Sequence, residues 1–190
     1  MPIISLGRPM KAIILLLAIP ACSRPSTLRP GPEGVEAIAR TPVGDSLHFE
    51  RGGCFGWCPV YKVDVGADGE ISYEGEASVV TIGKASGRAS SAAMAQLKSA
   101  IFELKAMADL DPKGCSFWHT DDFGVTISVR SGKAVKTFSD YHGCERMKDA
   151  RQDQLLRRLR EIEDSLDRIL NIERWIGTPE QRRALSGFGR

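Results

Sequence analysis

Hydrophobic and polar side chains alternate along "VYKVDVGADGEISYEG": Tyr61, Val63 and Val65 are separated by Lys62 and Asp64, and beyond Asp68-Gly69, Ile71 and Tyr73 are separated by Ser72 and Glu74. A period of two puts the apolar set on one face of a pleated strand, and Asp-Gly is strong turn chemistry, so a β-hairpin is predicted. "DSLHFER" before it reads as a first short strand, and "SVVTIG" after it as a further one. The period then changes. From a Ser90 or Ser91 cap, Met94, Leu97, Ile101, Leu104 and Ala108 recur at spacings of three and four, the pattern of a helix that must stop before Asp111-Pro112. "FGVTISVRSGKAVKTFSD" returns to a period of two, with Phe123, Val125, Ile127 and Val129 on one face and a turn near Ser131-Gly132. A last helix is predicted from about Asp149 to Asn171, with an apolar stripe of Leu155, Leu159, Ile162, Leu166 and Ile169 suited to packing on a sheet. Hairpin links without strand-helix-strand alternation predict an α+β fold: a mainly antiparallel sheet of hairpins packed with two helices and bonded by disulfides.

The N-terminus follows neither period. Arg8 and Lys11 precede an apolar run from Ala12 to Ile19, then Pro20, Ala21 and Cys22. The run is shorter than the ~20 residues of a membrane-spanning helix and has the form of a secretory signal. A cysteine directly after Ala21 resembles the bacterial lipobox, which implies that Cys22 becomes the lipid-modified mature N-terminus; the other reading is a signal cut nearby that leaves Cys22 unmodified. The expected organisation is a signal peptide at 1–21, a Pro- and Gly-rich tether on a lipid anchor at 22–44, an α+β domain at 45–176 and a flexible tail at 177–190.

Charge excludes one function class. Among 190 residues, 26 basic and 24 acidic side chains are intermixed, which is no footprint for nucleic acid. The basic cluster Arg182, Arg183 and Arg190 reads as a solvated terminus.

Five cysteines would leave one thiol over in a secreted protein, and assigning Cys22 to lipid leaves four to pair. Four allow three connectivities. Cys115 and Cys144 flank the second hairpin symmetrically, so a bridge there closes its open end; Cys54 and Cys58 enclose Gly56, which lets the chain bend sharply enough to join them. The expected compartment is the bacterial envelope, with the domain facing the periplasm or cell surface.

The segment "CFGWCP" supports several chemistries. Cys-x-x-x-Cys-Pro is similar to the motif of thioredoxin-like copper chaperones, which implies a thiol-dependent redox or copper-handling protein using Cys54 and Cys58 with His119 or His142 as a further ligand. That motif opens a helix in its own fold, whereas a strand pattern follows Pro59 here. A zinc site from Cys54, Cys58, Cys115 and Cys144 would split its second ligand pair by most of a hairpin, contrary to usual zinc spacing. A disulfide-closed binding loop would present Phe55 and Trp57 as rigid aromatic contacts; alternatively both rings fold inward over the sheet end.

Elsewhere, "FWHTDDFG" gathers His119, Asp121 and Asp122, and a Cys115–Cys144 bridge would bring His142 and Glu145 toward them, the best enzyme-like constellation in the chain. The plainer reading is a polar loop entering a strand. No nucleophile elbow or phosphate-binding glycine loop is present, and no cofactor is expected.

"CFGWCPVYKVDVGADGEISYEG", through Cys54, Phe55, Gly56, Cys58, Pro59, Tyr61, Asp68, Gly69, Tyr73 and Gly75, resembles a bacterial family known only as domain of unknown function 6438, and "ERWIG" around Trp175 resembles its end. The resemblance implies a small, secreted or lipid-anchored domain and assigns no activity. The expected function is therefore a lipid-anchored domain with a non-enzymatic binding or envelope-associated role and an unknown envelope partner.

Overall fold

The computed structural model describes residues 44–185. The expected signal peptide, Cys22 and the tether up to residue 43 lie outside the described residues, as do residues 186–190. In chain order the elements are β1 (Asp45–Arg51), β2 (Val60–Val65), β3 (Glu70–Ala77), β4 (Gly83–Arg88), α1 (Ser91–Ala106), β5 (Cys115–Trp118), β6 (Gly124–Ser131), β7 (Ala134–Tyr141), β8 (Cys144–Met147), α2 (Ala150–Ile169), α3 (Glu173–Ile176) and α4 (Pro179–Leu185). Six strands form one sheet in the order β4-β3-β2-β1-β6-β7, each neighbouring pair antiparallel, and β5 and β8 form a separate antiparallel pair.

The period of two decides the layers. Leu47, Phe49 and Arg51 of β1, Tyr61, Val63 and Val65 of β2, Ile71 and Tyr73 of β3, and Val125, Ile127 and Val129 of β6 are buried, while the residues between them are more exposed. The apolar members of this row join Leu97, Ile101 and Leu104 of α1 and Leu159, Ile162 and Leu166 of α2 in one core. The opposite face is polar, with contacts such as His48 to Asp64 and Ser128 to Thr137. An antiparallel sheet can leave one face in water in this way.

Both long helices are capped. The Ser90 hydroxyl accepts the Ala93 N–H at 3.1 Å, and the Asp149 carboxylate accepts the N–H groups of Arg151 and Gln152 at 3.0 and 2.9 Å. These contacts satisfy donors that the first helical turn leaves without intrahelical partners.

The expectation of two helices is corrected: the short helices α3 and α4 follow α1 and α2. α3 is one turn, too short to show a period, and it buries Trp175 against Tyr73 with ring centroids 4.8 Å apart. α4 occupies part of the segment expected to be a tail. A second correction concerns "SVVTIG". Residues 78–82 form the bend between β3 and β4, with Ser78 at φ 53° and the N–H groups of Val80 and Thr81 bonded to the carbonyls of Ile176 and Trp175. The strand itself is "GKASGR", whose small residues show no apolar alternation. No helix among the described residues is long and apolar enough to cross a membrane.

Candidate functional site

β1 and β2 are central strands of the sheet, and the cysteine loop joins them at one end. Arg51 lies opposite Tyr61 in their register, so residues 52–59 have to close the hairpin over those two side chains. The Cys54–Cys58 disulfide, with Cα atoms 5.6 Å apart, pinches the loop. Gly56 stands between them at φ 149°, a backbone conformation that side chains disfavour. Two backbone bonds hold the loop to the start of β6 and the segment leading into it: Gly52 N–H to Gly124 O at 2.8 Å and Phe55 N–H to Asp121 O at 3.1 Å. Asp121 adopts φ 73° there. The rings of the loop are not core residues. Phe55 is 89% exposed and Trp57 44%.

Beneath the loop is a pocket of about 490 Å³. The loop residues 54–59 form one wall, and Phe123, Ile176 and Arg182 contribute others. Arg51 and Tyr61, both buried, and the half-buried Asp167 form its polar end. Asp167 of α2 accepts from the Tyr61 hydroxyl at 2.6 Å and from Arg51 Nη2 at 2.8 Å, while Arg51 Nε donates to the Tyr61 oxygen at 3.1 Å. The Arg51 guanidinium also lies 5.4 Å from the Phe49 ring centre and 5.3 Å from that of Phe123. Burial opposes the Arg51 charge, but Asp167, Tyr61 and Glu163 outweigh it and push the guanidinium pKa up. Burial first, and then the neighbouring Asp167 carboxylate, push the Tyr61 hydroxyl well above its ordinary range. Arg182 Nη1 donates to Gly177 O, and its Nε–H is buried with no acceptor among the described residues. A ligand acceptor would satisfy that donor.

A second polar group lies further along α2. Arg160, Glu163 and Asp167 follow one another at helical spacings of three and four, so a polar seam runs beside the apolar stripe. Arg160 makes a two-point contact with Asp140 of β7, at 2.7 and 3.0 Å, and donates to the carbonyls of Tyr141 and Cys144. His142 Nε2 lies 2.7 Å from Glu163 Oε2 and 3.5 Å from Asp140 Oδ2. Its ring stacks on Phe123 at 4.1 Å. Burial is the main cause that pushes the Glu163 carboxyl upward; the His142 hydrogen bond opposes it and Asp140 reinforces it.

The sequence-derived candidates therefore separate. His119 lies 3.3 Å from Asp122 and 3.6 Å from Glu145, so those three do meet, on the surface. His142 turns away to Glu163 and Asp140. Asp121 contributes its carbonyl to the loop contact. Cys54 and Cys58 are bonded to each other, as are Cys115 and Cys144, whose Cα atoms are 5.9 Å apart. Among the described residues, the set whose potential metal ligands converge is Asp140, His142 and Glu163, with no cysteine in it. The four-cysteine set and the set of Cys54 and Cys58 with His119 and His142 are not assembled.

Arg51, Asp140, Arg160, Glu163, Asp167 and Arg182 are absent from the sequence-derived candidates. The signal that could have found Arg51 is a charge continuing the Leu47–Phe49 alternation of β1; the others carry no comparable signal in the sequence.

The family described as Domain of unknown function (DUF6438) matches residues 45–170. The chain belongs to that family. The match spans the six-stranded sheet, both disulfides and α2, and ends before α3 and the "ERWIG" segment. No curated protein matches the chain. For this member of the DUF6438 family, the residues from Cys54 to Pro59 together with Tyr61 border the pocket. Membership gives the fold a lineage without assigning the pocket an occupant.

Proposed function

We propose that this chain is a lipid-anchored, extracytoplasmic binding domain, and that its ligand seats under the Cys54–Cys58 loop. The observation that carries the reading is the exposed aromatic loop closed over a pocket with a buried arginine donor in need of an acceptor. A rigid loop gives up little conformational entropy when it binds, so Phe55 and Trp57 can use their apolar area efficiently. Arg182 favours an anionic end, because guanidinium pairs with carboxylates at short range. The ligand class is an apolar group carrying a carboxylate, of the kind found at the C-terminal residue of an apolar peptide. The domain needs no catalytic group of its own for this. Cys22, at the end of a signal-like segment, supplies the anchor, and the paired cysteines are consistent with an oxidising compartment.

N-Acetylphenylalanine and its uncharged amide are suitable probes, followed by amide chemical shifts in the full-length protein. The expected result is saturable shifts confined to residues 51–61 and 176–182 and to Phe123 and Asp167 with the carboxylate, weaker with the amide, and lost in Arg182→Gln. Equal shifts with both probes, or none in those segments, would reject the pocket assignment. The anchor is tested separately by intact mass of the membrane fraction: a mass increment on Cys22 is expected, and it disappears in Cys22→Ser.

A further inference from the structure

Three side chains from separate parts of the chain meet beside the loop pocket, on the far side of the Phe123 ring. Asp140 comes from the edge strand β7, His142 from the turn after it, and Glu163 from the buried side of α2. One ligand atom from each lies within 4.8 Å of the other two. Glu163 is 0% exposed and Asp140 5%, and the His142 side chain is 19% exposed.

Hydrogen bonding accounts for only part of this arrangement. His142 Nε2 carries at most one proton, yet it faces a carboxylate on each side. Arg160 hydrogen-bonds Asp140 and not Glu163, so the imidazole is the hydrogen-bond partner of Glu163, with the Arg51 and Arg160 charges near it but not bonded to it. Its other oxygen, Oε1, is buried without a hydrogen-bond partner among the described residues. An unpaired oxygen on a fully buried carboxylate is costly, and a cation held by both Glu163 oxygens would satisfy it while engaging Asp140 and His142.

The geometry is close to a coordination sphere. Metal–nitrogen and metal–oxygen bonds of about 2.0–2.2 Å separate adjacent ligand atoms by about 3–3.5 Å. The observed separations are 2.7 Å for His142 to Glu163 and 3.5 Å for His142 to Asp140, with all three ligand atoms within 4.8 Å of one another, so the Glu163 side would open by roughly 0.3–0.8 Å. The surroundings hold the ligands in place. Arg160 fixes the Asp140 carboxylate, the Phe123 ring fixes the imidazole plane, and the Cys115–Cys144 bridge pins the chain two residues after His142. The His119–Asp122–Glu145 group, more open to solvent, has no such orphaned buried atom.

We propose that Asp140, His142 and Glu163 bind one divalent transition-metal ion. One imidazole and two carboxylates suit zinc best, with water at the remaining position, and manganese next; the absence of thiolate disfavours copper(I). The site adjoins the loop pocket through Phe123, which lines the pocket and stacks on His142, but its ligands are none of the pocket residues, so the two readings are tested by different substitutions.

The test uses the full-length protein, stripped with chelator and titrated with Zn²⁺, Mn²⁺ and Co²⁺. Calorimetry is expected to give one equivalent of Zn²⁺, and Co²⁺ is expected to give visible ligand-field bands. His142→Gln should abolish those bands, and Glu163→Gln should weaken Zn²⁺ binding by ~100-fold or more. His119→Gln should bind as the unsubstituted protein does. Circular dichroism establishes that each variant is folded, and Glu163→Gln suffices if His142→Gln is not. No saturable binding of any of the three metals in the unsubstituted protein would overturn the proposal. So would full Zn²⁺ affinity in a folded Glu163→Gln variant, or loss of the site in His119→Gln.

Discussion

Tyr61 holds three parts of the molecule together through one oxygen, which accepts from Arg51 of β1 and donates to Asp167 of α2. Its ring continues a row of aromatic contacts from Phe49 through Tyr73 to Trp175, so the same side chain also fills the core. Replacing it with phenylalanine keeps the ring and removes only the oxygen. Arg51 and Asp167 still face each other at 2.8 Å, so the charges stay paired. The expected loss is about 1–3 kcal/mol, read from urea unfolding, since one buried donor and one acceptor lose their partner. The pH dependence should change as well. The Tyr61 pKa is raised on folding, so the native state keeps a proton that the unfolded chain releases near pH 10. Its contribution is complete below about pH 10 and is lost as the pH rises further. Tyr61→Phe should therefore lose stability less steeply above pH 10 than the unsubstituted protein, Tyr73 being common to both. Parallel curves would mean that the hydroxyl is already solvated.

At the scale of elements, α1 and α2 are joined by an ion pair as well as by the core. Arg158 of α2 contacts both carboxylate oxygens of Glu103 of α1, the Nη2 to Oε2 distance being 2.7 Å. The hydrogen bonds from Arg158 hold the Glu103 carboxyl below its ordinary value. A depressed carboxylate stabilises the fold above its unfolded pKa and ceases to do so as the pH falls through the folded one. Both side chains are more than a third exposed, so Glu103→Gln should cost only about 0.2–1 kcal/mol at neutral pH. The difference should vanish well below pH 4 and shrink in high salt. The same two helices show what the sequence could reveal. Ser90, Asp149 and the apolar spacings marked α1 and α2, and the alternation of Val125, Ile127 and Val129 marked β6, because capping and periodicity are local properties. β4, β5, β8 and α3 were not legible: four to six residues without a dominant apolar rhythm form strands or a turn only when a neighbour supplies the partner. Glu163 was hidden for a related reason. On a helix as charged as α2, a carboxylate beside Ile162 looks like any solvated one until β7 is placed against it. The Phe55 and Trp57 loop was legible as a loop, but its pocket depends on Arg182, which the sequence placed in a tail.

For the whole molecule, the two disulfides divide the labour between stability and shape. Cys115–Cys144 spans 29 residues of sequence and ties β5 to β8, a two-stranded pair outside the main sheet. Such a pair is marginal by itself, and the small core beneath it is limited to Cys144, Met147 and Leu156 with Leu110 and Cys115 at its edge. Cys54–Cys58 spans only four residues and lies over a hairpin whose register is already fixed by the central strands. The loop-entropy relation assigns about 3.5 kcal/mol to the long ring and about 2 kcal/mol to the short one. Replacing each pair by serines should therefore separate the two roles. Removal of Cys115 and Cys144 is expected to lower the unfolding free energy by about 3 kcal/mol and to release amide protection in β5 and β8, because the pair has little else to hold it. Removal of Cys54 and Cys58 should cost about 2 kcal/mol or less and leave β1 and β2 protected, while amides of the 52–59 loop exchange faster. Hydrogen exchange with urea titration reads both results from the same variants. If loss of the short ring were the more destabilising, the loop would be a main support of the sheet rather than a fixed surface set upon it.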